Sequence, residues 1–132
     1  MLKSIVLAAI IGVTGATSAL AQQCLHGPNE TPANRARREK AIDVAHQINA
    51  LEAMTAVPGI RNPRYKRPIE LKLPPMPEGF GLTFHTDGRI YAFSLKDDRD
   101  PCFFAVFSDQ DGFVYATNPE PHAATVVPLG TT

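Results

Sequence analysis

Two histidines and an aspartate stand in the order His85-x-Asp87 and then His122, the order of a two-histidine, one-carboxylate iron site. Such a set could serve a metal-dependent enzyme or a small hydrolase. Asp87 also sits in Thr86-Asp87-Gly88, where the Asp-Gly pair favours a tight hairpin turn. The barrel that usually carries such a site needs more strands than this chain supplies. Asp109-Gln110-Asp111-Gly112 begins like a calcium loop, with Glu120 at its twelfth place. Phe113 and Val114 fill the fifth and sixth places, where that loop needs a ligand and a glycine. A second hairpin turn accounts for the same residues without an ion.

Nucleophilic chemistry has less to stand on. Ser94 and Ser108 fall within candidate strands with no Gly-x-Ser-x-Gly elbow around them, and no phosphate-cradling glycine loop follows a strand. Asp97, Asp98 and Asp100 fit a solvated turn, and His26 and His46, without partners at ligand spacing, read as surface or cap residues. No catalytic set, metal or cofactor is expected.

The remaining chemistry lies in two cysteines, Cys24 and Cys102. Their compartment is set by the start of the chain. Lys3, the apolar run Ile5 to Val13 and Ala19-Leu20-Ala21 have the form of a secretory signal cleaved after Ala21. A retained membrane anchor needs about 20 predominantly apolar residues, and Thr14, Gly15, Thr17 and Ser18 dilute this stretch. Gln22 and Gln23 before Cys24 argue against lipidation. In an exported chain an even cysteine count reads as a disulfide. A catalytic redox pair would favour Cys-x-x-Cys spacing, which is absent. A periplasmic or secreted protein with no membrane span after cleavage is expected.

Cleavage leaves residues 22–132, 111 residues, enough for one domain. Charge divides along it: residues 35–72 hold nine basic and four acidic side chains, residues 73–132 three and eight. The halves could attract each other or a neighbouring molecule, or simply be solvated. No dense basic patch with interleaved aromatics is present, so no nucleic-acid partner is expected.

The elements that must position these residues are legible by pattern. Thr31-Pro32 reads as an N-cap and first helical residue, although Asn29-Glu30-Thr31 is also a formal glycosylation acceptor. Ala41, Val44, Ala45, Ile48, Leu51 and Met54 form a helical stripe that should run to about Ala56 before Pro58-Gly59 ends it. Six prolines between 58 and 77 predict an ordered loop, anchored by Tyr65, Ile69, Leu71 and Leu73. A proline-rich recognition segment is the alternative there. Segments 81–85, 89–95, 102–108 and 113–117 read as strands of an antiparallel meander, with Val126, Val127 and Leu129 as a further edge strand. The expected fold is α+β: one N-terminal amphipathic helix packed on a small antiparallel β-meander of about four strands.

Residues 45–53, Ala45-His46-Gln47-Ile48-Asn49-Ala50-Leu51-Glu52-Ala53, resemble the later half of the helix in type IV pilins and pseudopilins. Phe104 to Tyr115 is similar to a hairpin near pilin C-termini. The two stretches cover under a fifth of the mature chain. The long apolar pilin helix and the prepilin processing pattern are absent, so the resemblance implies a pilin-like soluble fold without the usual filament anchor. Together these features point to an exported, non-enzymatic binding or structural protein, its partner an unidentified protein or envelope component. The alternatives are an enzyme built on His85, Asp87 and His122, or a secreted inhibitor or small-molecule carrier.

Overall fold

The computed structural model describes residues 23–55, 64–118 and 125–129. Residues 1–21, the expected signal segment, lie outside them, as do His122 and the loop start at 58–63.

Helix α1 runs Pro32–Thr55. The Thr31 hydroxyl accepts the Asn34 N–H at 3.2 Å, satisfying one of the donors a helix start leaves open, and Pro32 has no N–H to satisfy. Five strands follow: β1 Phe80–Thr86, β2 Tyr91–Asp97, β3 Ala105–Asp109, β4 Val114–Asn118 and β5 Thr125–Leu129. They pair antiparallel in sequence order, a plain meander. The expected helix on an antiparallel meander is therefore the fold, with the edge strand as its fifth member.

Both Asp-Gly turns form as their chemistry requires. Asp87 Oδ1 accepts the N–H groups of Arg89 and Ile90, and Gly88 adopts φ 89°. Gly112 adopts φ 79° and donates its N–H to the Asp109 carbonyl. Open space surrounds both glycines, so the positive φ and not crowding calls for glycine there.

Strand pairing sorts side chains onto two faces. Leu82, Leu95, Val106 and Ala116 form one row across the sheet, and Phe84, Phe93, Ser108 and Val114 the next. These rows meet Ala41, Val44, Ala45 and Ile48 of α1, all nearly or fully buried. Tyr91, Phe84 and Phe93 stack along this face, and Tyr65 meets Tyr91 edge-on at 4.7 Å.

The helix stripe departs from expectation in its last turns. Met54 is 77% exposed and Leu51 only partly buried, whereas Asn49 and Glu52 take the core positions. The spacing 41, 44, 45, 48, 49, 52 continues one face of a 3.6-residue helix, and Met54 lies off it. Apolarity at 51 and 54 suggested a stripe; helical geometry selects the polar neighbours. In the proline-rich segment Tyr65, Leu73 and Met76 pack against the core. Ile69 does not: the short 3-10 turn Pro68–Glu70 breaks the alternation and leaves it 88% exposed. Among the described residues no helix is long and apolar enough to cross a membrane.

Candidate functional site

Three polar groupings and one open surface could carry function. The first surrounds the disulfide. Cys24 and Cys102 are bonded, their Cα atoms 5.2 Å apart, and Leu25 N–H donates to Asp100 Oδ1 at 3.1 Å. His26 then enters the core, in contrast to the surface or cap role expected from its lack of sequence neighbours. Its ring nitrogens lie 2.7 Å from Glu30 Oε1 and 2.8 Å from Asp97 Oδ2, and its ring packs 4.5 Å from that of Phe104. Arg37 reaches Asp97 Oδ1 at 2.8 Å, and Arg38 forks onto Glu30. Burial would push both carboxyls up, but hydrogen bonds from Arg38 and His26 to Glu30, and from His26 and Arg37 to Asp97, outweigh it. Both are held below the usual carboxylate range. Of the divided charge, Arg37–Asp97 is the ion pair among the described residues that joins the basic stretch to the acidic one. Both ring nitrogens of this imidazole are taken by a neighbouring carboxylate, which makes the group a clamp between the chain's start and the sheet.

The second grouping bridges helix and sheet. Tyr91 donates its hydroxyl to Asn49 Oδ1 at 2.9 Å, Asn49 Nδ2 donates to Ser108 Oγ at 2.8 Å, and Ser108 donates to the Phe113 carbonyl at 2.6 Å. Burial, with Tyr65, Glu52 and Asp109 nearby, raises the Tyr91 hydroxyl well above its ordinary value. Ser108 is thus committed to a carbonyl and buried beneath the helix, unsuited to attack a substrate.

The third is Glu52, fully buried. Its Oε2 accepts the Lys66 N–H at 3.0 Å, tying the proline-rich segment to α1, while Oε1 has no hydrogen-bond partner among the described residues. Burial raises its carboxyl above the usual range despite the bonds from Lys66 and Thr55. A carboxyl raised on folding favours the folded state when protonated. Its contribution is complete below the unfolded value, about 4.3, and is lost as pH rises through the folded value. Glu52→Gln is therefore expected to be more stable than the parent at pH 7 and equal to it below about pH 4. Urea midpoints at the two pH values measure this, and a variant no more stable at pH 7 contradicts it.

The sequence candidates for catalysis do not assemble around these groups. His85 projects from β1 on the face opposite the helix, whereas the Asp87 carboxylate is turned into its own hairpin. Their third member, His122, is outside the described residues. Asp109 Oδ1 accepts the Asp111 N–H, the hairpin use expected of that segment. Among the described residues no group of three or more His, Cys, Asp or Glu side chains is placed to hold a metal.

The open surface is the sheet face away from α1. Thr83, His85, Ala92, Ser94, Lys96, Phe107, Asp109 and Tyr115 alternate with the core positions and so share it. Phe107 and Tyr115 are cross-strand partners, stacked with centroids 5.6 Å apart. Beside them the small side chains of Ala92 and Ser94 leave a trough of about 390 Å³ edged by Thr83, His85 and Asp109. Outside the trough, in the connection between β2 and β3, Phe103 is 68% exposed and at φ 58°, a left-handed conformation unusual outside glycine. Lys96 Nζ lies over its ring, 5.3 Å from the centroid. Neither Phe103 nor the trough was foreseen. Alternation along the strands is the signal that could have located the open face, whereas nothing local marks a left-handed phenylalanine.

No protein family, curated protein or solved structure matches the chain.

Proposed function

We propose that the chain is an exported, non-enzymatic protein that binds another protein or an envelope component through its open sheet face. The disulfide supports an oxidising compartment, since such bonds persist outside the reducing cytosol. The helix-on-meander order is also what a pilin-like fold would have, and the proposal extends to a pilin-like subunit near an envelope assembly that lacks the usual membrane helix.

Phe103 carries the reading. A left-handed backbone costs a non-glycine residue about 1–2 kcal/mol, and a large aromatic gains little from burial when two-thirds of it meets water. Strain at an exposed aromatic serves the free fold poorly and serves an interface well, where aromatic side chains dominate binding. Phe103→Gly is expected to leave stability within about 1 kcal/mol. Relief of strain offsets glycine's greater chain entropy and the lost Lys96 contact.

The test is site-specific photo-crosslinking in the producing cells. p-Benzoylphenylalanine in place of Phe103 is expected to give one discrete adduct that an unlabelled parent protein competes away. The same group in place of Phe113, 53% exposed at a hairpin tip, is expected to give none. Equal labelling from both positions, or none from either, contradicts the proposal.

A further inference from the structure

We propose that the trough beside Phe107 receives an arginine side chain of the partner protein, an inference that rests on the open face being the binding surface. Phe107 and Asp109 alternate on the same face of β3, hence about 6–7 Å apart along the strand. That is the span of a guanidinium lying against a ring with its fork turned to a carboxylate. Arginine is the side chain that does both, stacking on aromatic faces and donating two parallel hydrogen bonds to one carboxylate.

Charge supports this occupant. Asp109 Oδ1 takes the Asp111 N–H, and among the described residues Asp109 is in no ion pair. Lys96, the basic side chain on this face, lies with its ammonium over Phe103. Besides the Tyr115 phenol, the ionisable groups edging the trough are Asp109 and His85, so a cation entering it meets one carboxylate beside the stacked rings of Phe107 and Tyr115. Ala92 and Ser94 form the floor and leave room for an aliphatic stem. The volume, about 390 Å³, is within the range of sites that enclose small groups.

Nuclear magnetic resonance titration with Nα-acetyl-arginine N-methylamide tests this on the whole mature protein. The expected result is saturable shifts of the amides of Ala92, Ser94, Phe107 and Asp109. The citrulline analogue, equal in shape but uncharged, is expected to bind at least about tenfold more weakly. Asp109→Asn should produce the same loss, and because asparagine can also accept the Asp111 N–H its spectrum should remain that of the folded parent. Phe107→Ala, on the uncovered face, should weaken the arginine probe too. Absence of saturable shifts, equal binding of the citrulline probe, or shifts centred away from the trough overturns the inference. Sedimentation of the protein alone adds one outcome: a dimer abolished by Asp109→Asn would make the arginine the chain's own and overturn an outside partner. Should crosslinking from position 103 succeed while the arginine probe fails, the binding face stands and its proposed occupant falls. Failure of both removes both.

Discussion

Removal of the Cys24–Cys102 bond is expected to lower stability by about 4–5 kcal/mol in the chain-entropy model, the largest effect of any single covalent change in this protein. The size comes from the 78-residue separation of the two cysteines, which denies the unfolded chain the conformations an open loop would explore. The folded state would change little at first, because Leu25 and His26 remain tied to Asp100 and Asp97 by hydrogen bonds. A domain of this size has about 5–15 kcal/mol in total, so the Cys24→Ser, Cys102→Ser variant should sit near the edge of folding. Urea unfolding of this variant beside the oxidised parent measures the difference directly. A loss below about 1 kcal/mol would show that the bond contributes little to the fold.

Replacement of Asp97 by alanine should cost about 3–5 kcal/mol, the usual consequence of removing one partner from a buried charged pair. Asp97 is fully buried and holds His26 and Arg37 together, besides accepting the Arg99 N–H. Its loss leaves a buried imidazole and a largely buried guanidinium facing each other without a carboxylate. Asp97→Asn separates shape from charge: its one carbonyl oxygen can still accept from Arg37 and the Arg99 N–H, but its amide NH2 replaces the oxygen that faced His26 and the charge is gone, so it should fall between parent and alanine variant. The pH response has a defined sign. A carboxyl held below its unfolded value contributes stability above that value and loses it as pH falls through the folded one. Asp97 and Glu30 therefore predict a parent that weakens in acid below about pH 4, and an Asp97→Ala variant whose acid loss is shallower. Thermal unfolding at pH 7 and pH 3 checks both points, and parallel curves for the two proteins would remove Asp97 from the account.

These two buried acids act in opposite directions from Glu52. Glu30 and Asp97 are stabilised as anions by basic partners, whereas Glu52 has bonds only from an N–H and a hydroxyl and is raised by burial. Net stability against pH is thus the balance of a clamp that weakens in acid and a buried carboxyl that weakens the fold in base.

What could be seen from residue order alone was local. Thr31-Pro32 announced the helix start, the two Asp-Gly pairs announced hairpins, and runs of aromatic and β-branched residues announced the strands between them. Cysteine parity paired Cys24 with Cys102. His26 was misread because its second carboxylate lies 71 positions away, where no spacing rule reaches. Asn49 and Glu52 were passed over in favour of Leu51 and Met54 because hydropathy outweighed periodicity at the end of the stripe. The open face was not singled out, because its trough depends on which small residues stand beside Phe107 after pairing. The backbone of Phe103 depends on the turn that closes behind Cys102, where Phe103 N–H donates to the Asp100 carbonyl.

The Asn49–Tyr91–Ser108 bridge bears on how the helix finds its seat. Ala41 and Ala45 are small and Val44 and Ile48 are similar branched aliphatic shapes, so apolar contact alone would discriminate weakly against a slide along the sheet by one turn, about 5.4 Å. After such a slide Tyr91 and Asn49 would each be buried without a partner, at a cost of about 1–3 kcal/mol apiece, while Ser108 would keep the Phe113 carbonyl. Docking register is therefore discriminated by unmade hydrogen bonds in the wrong alignment more than by better packing in the right one.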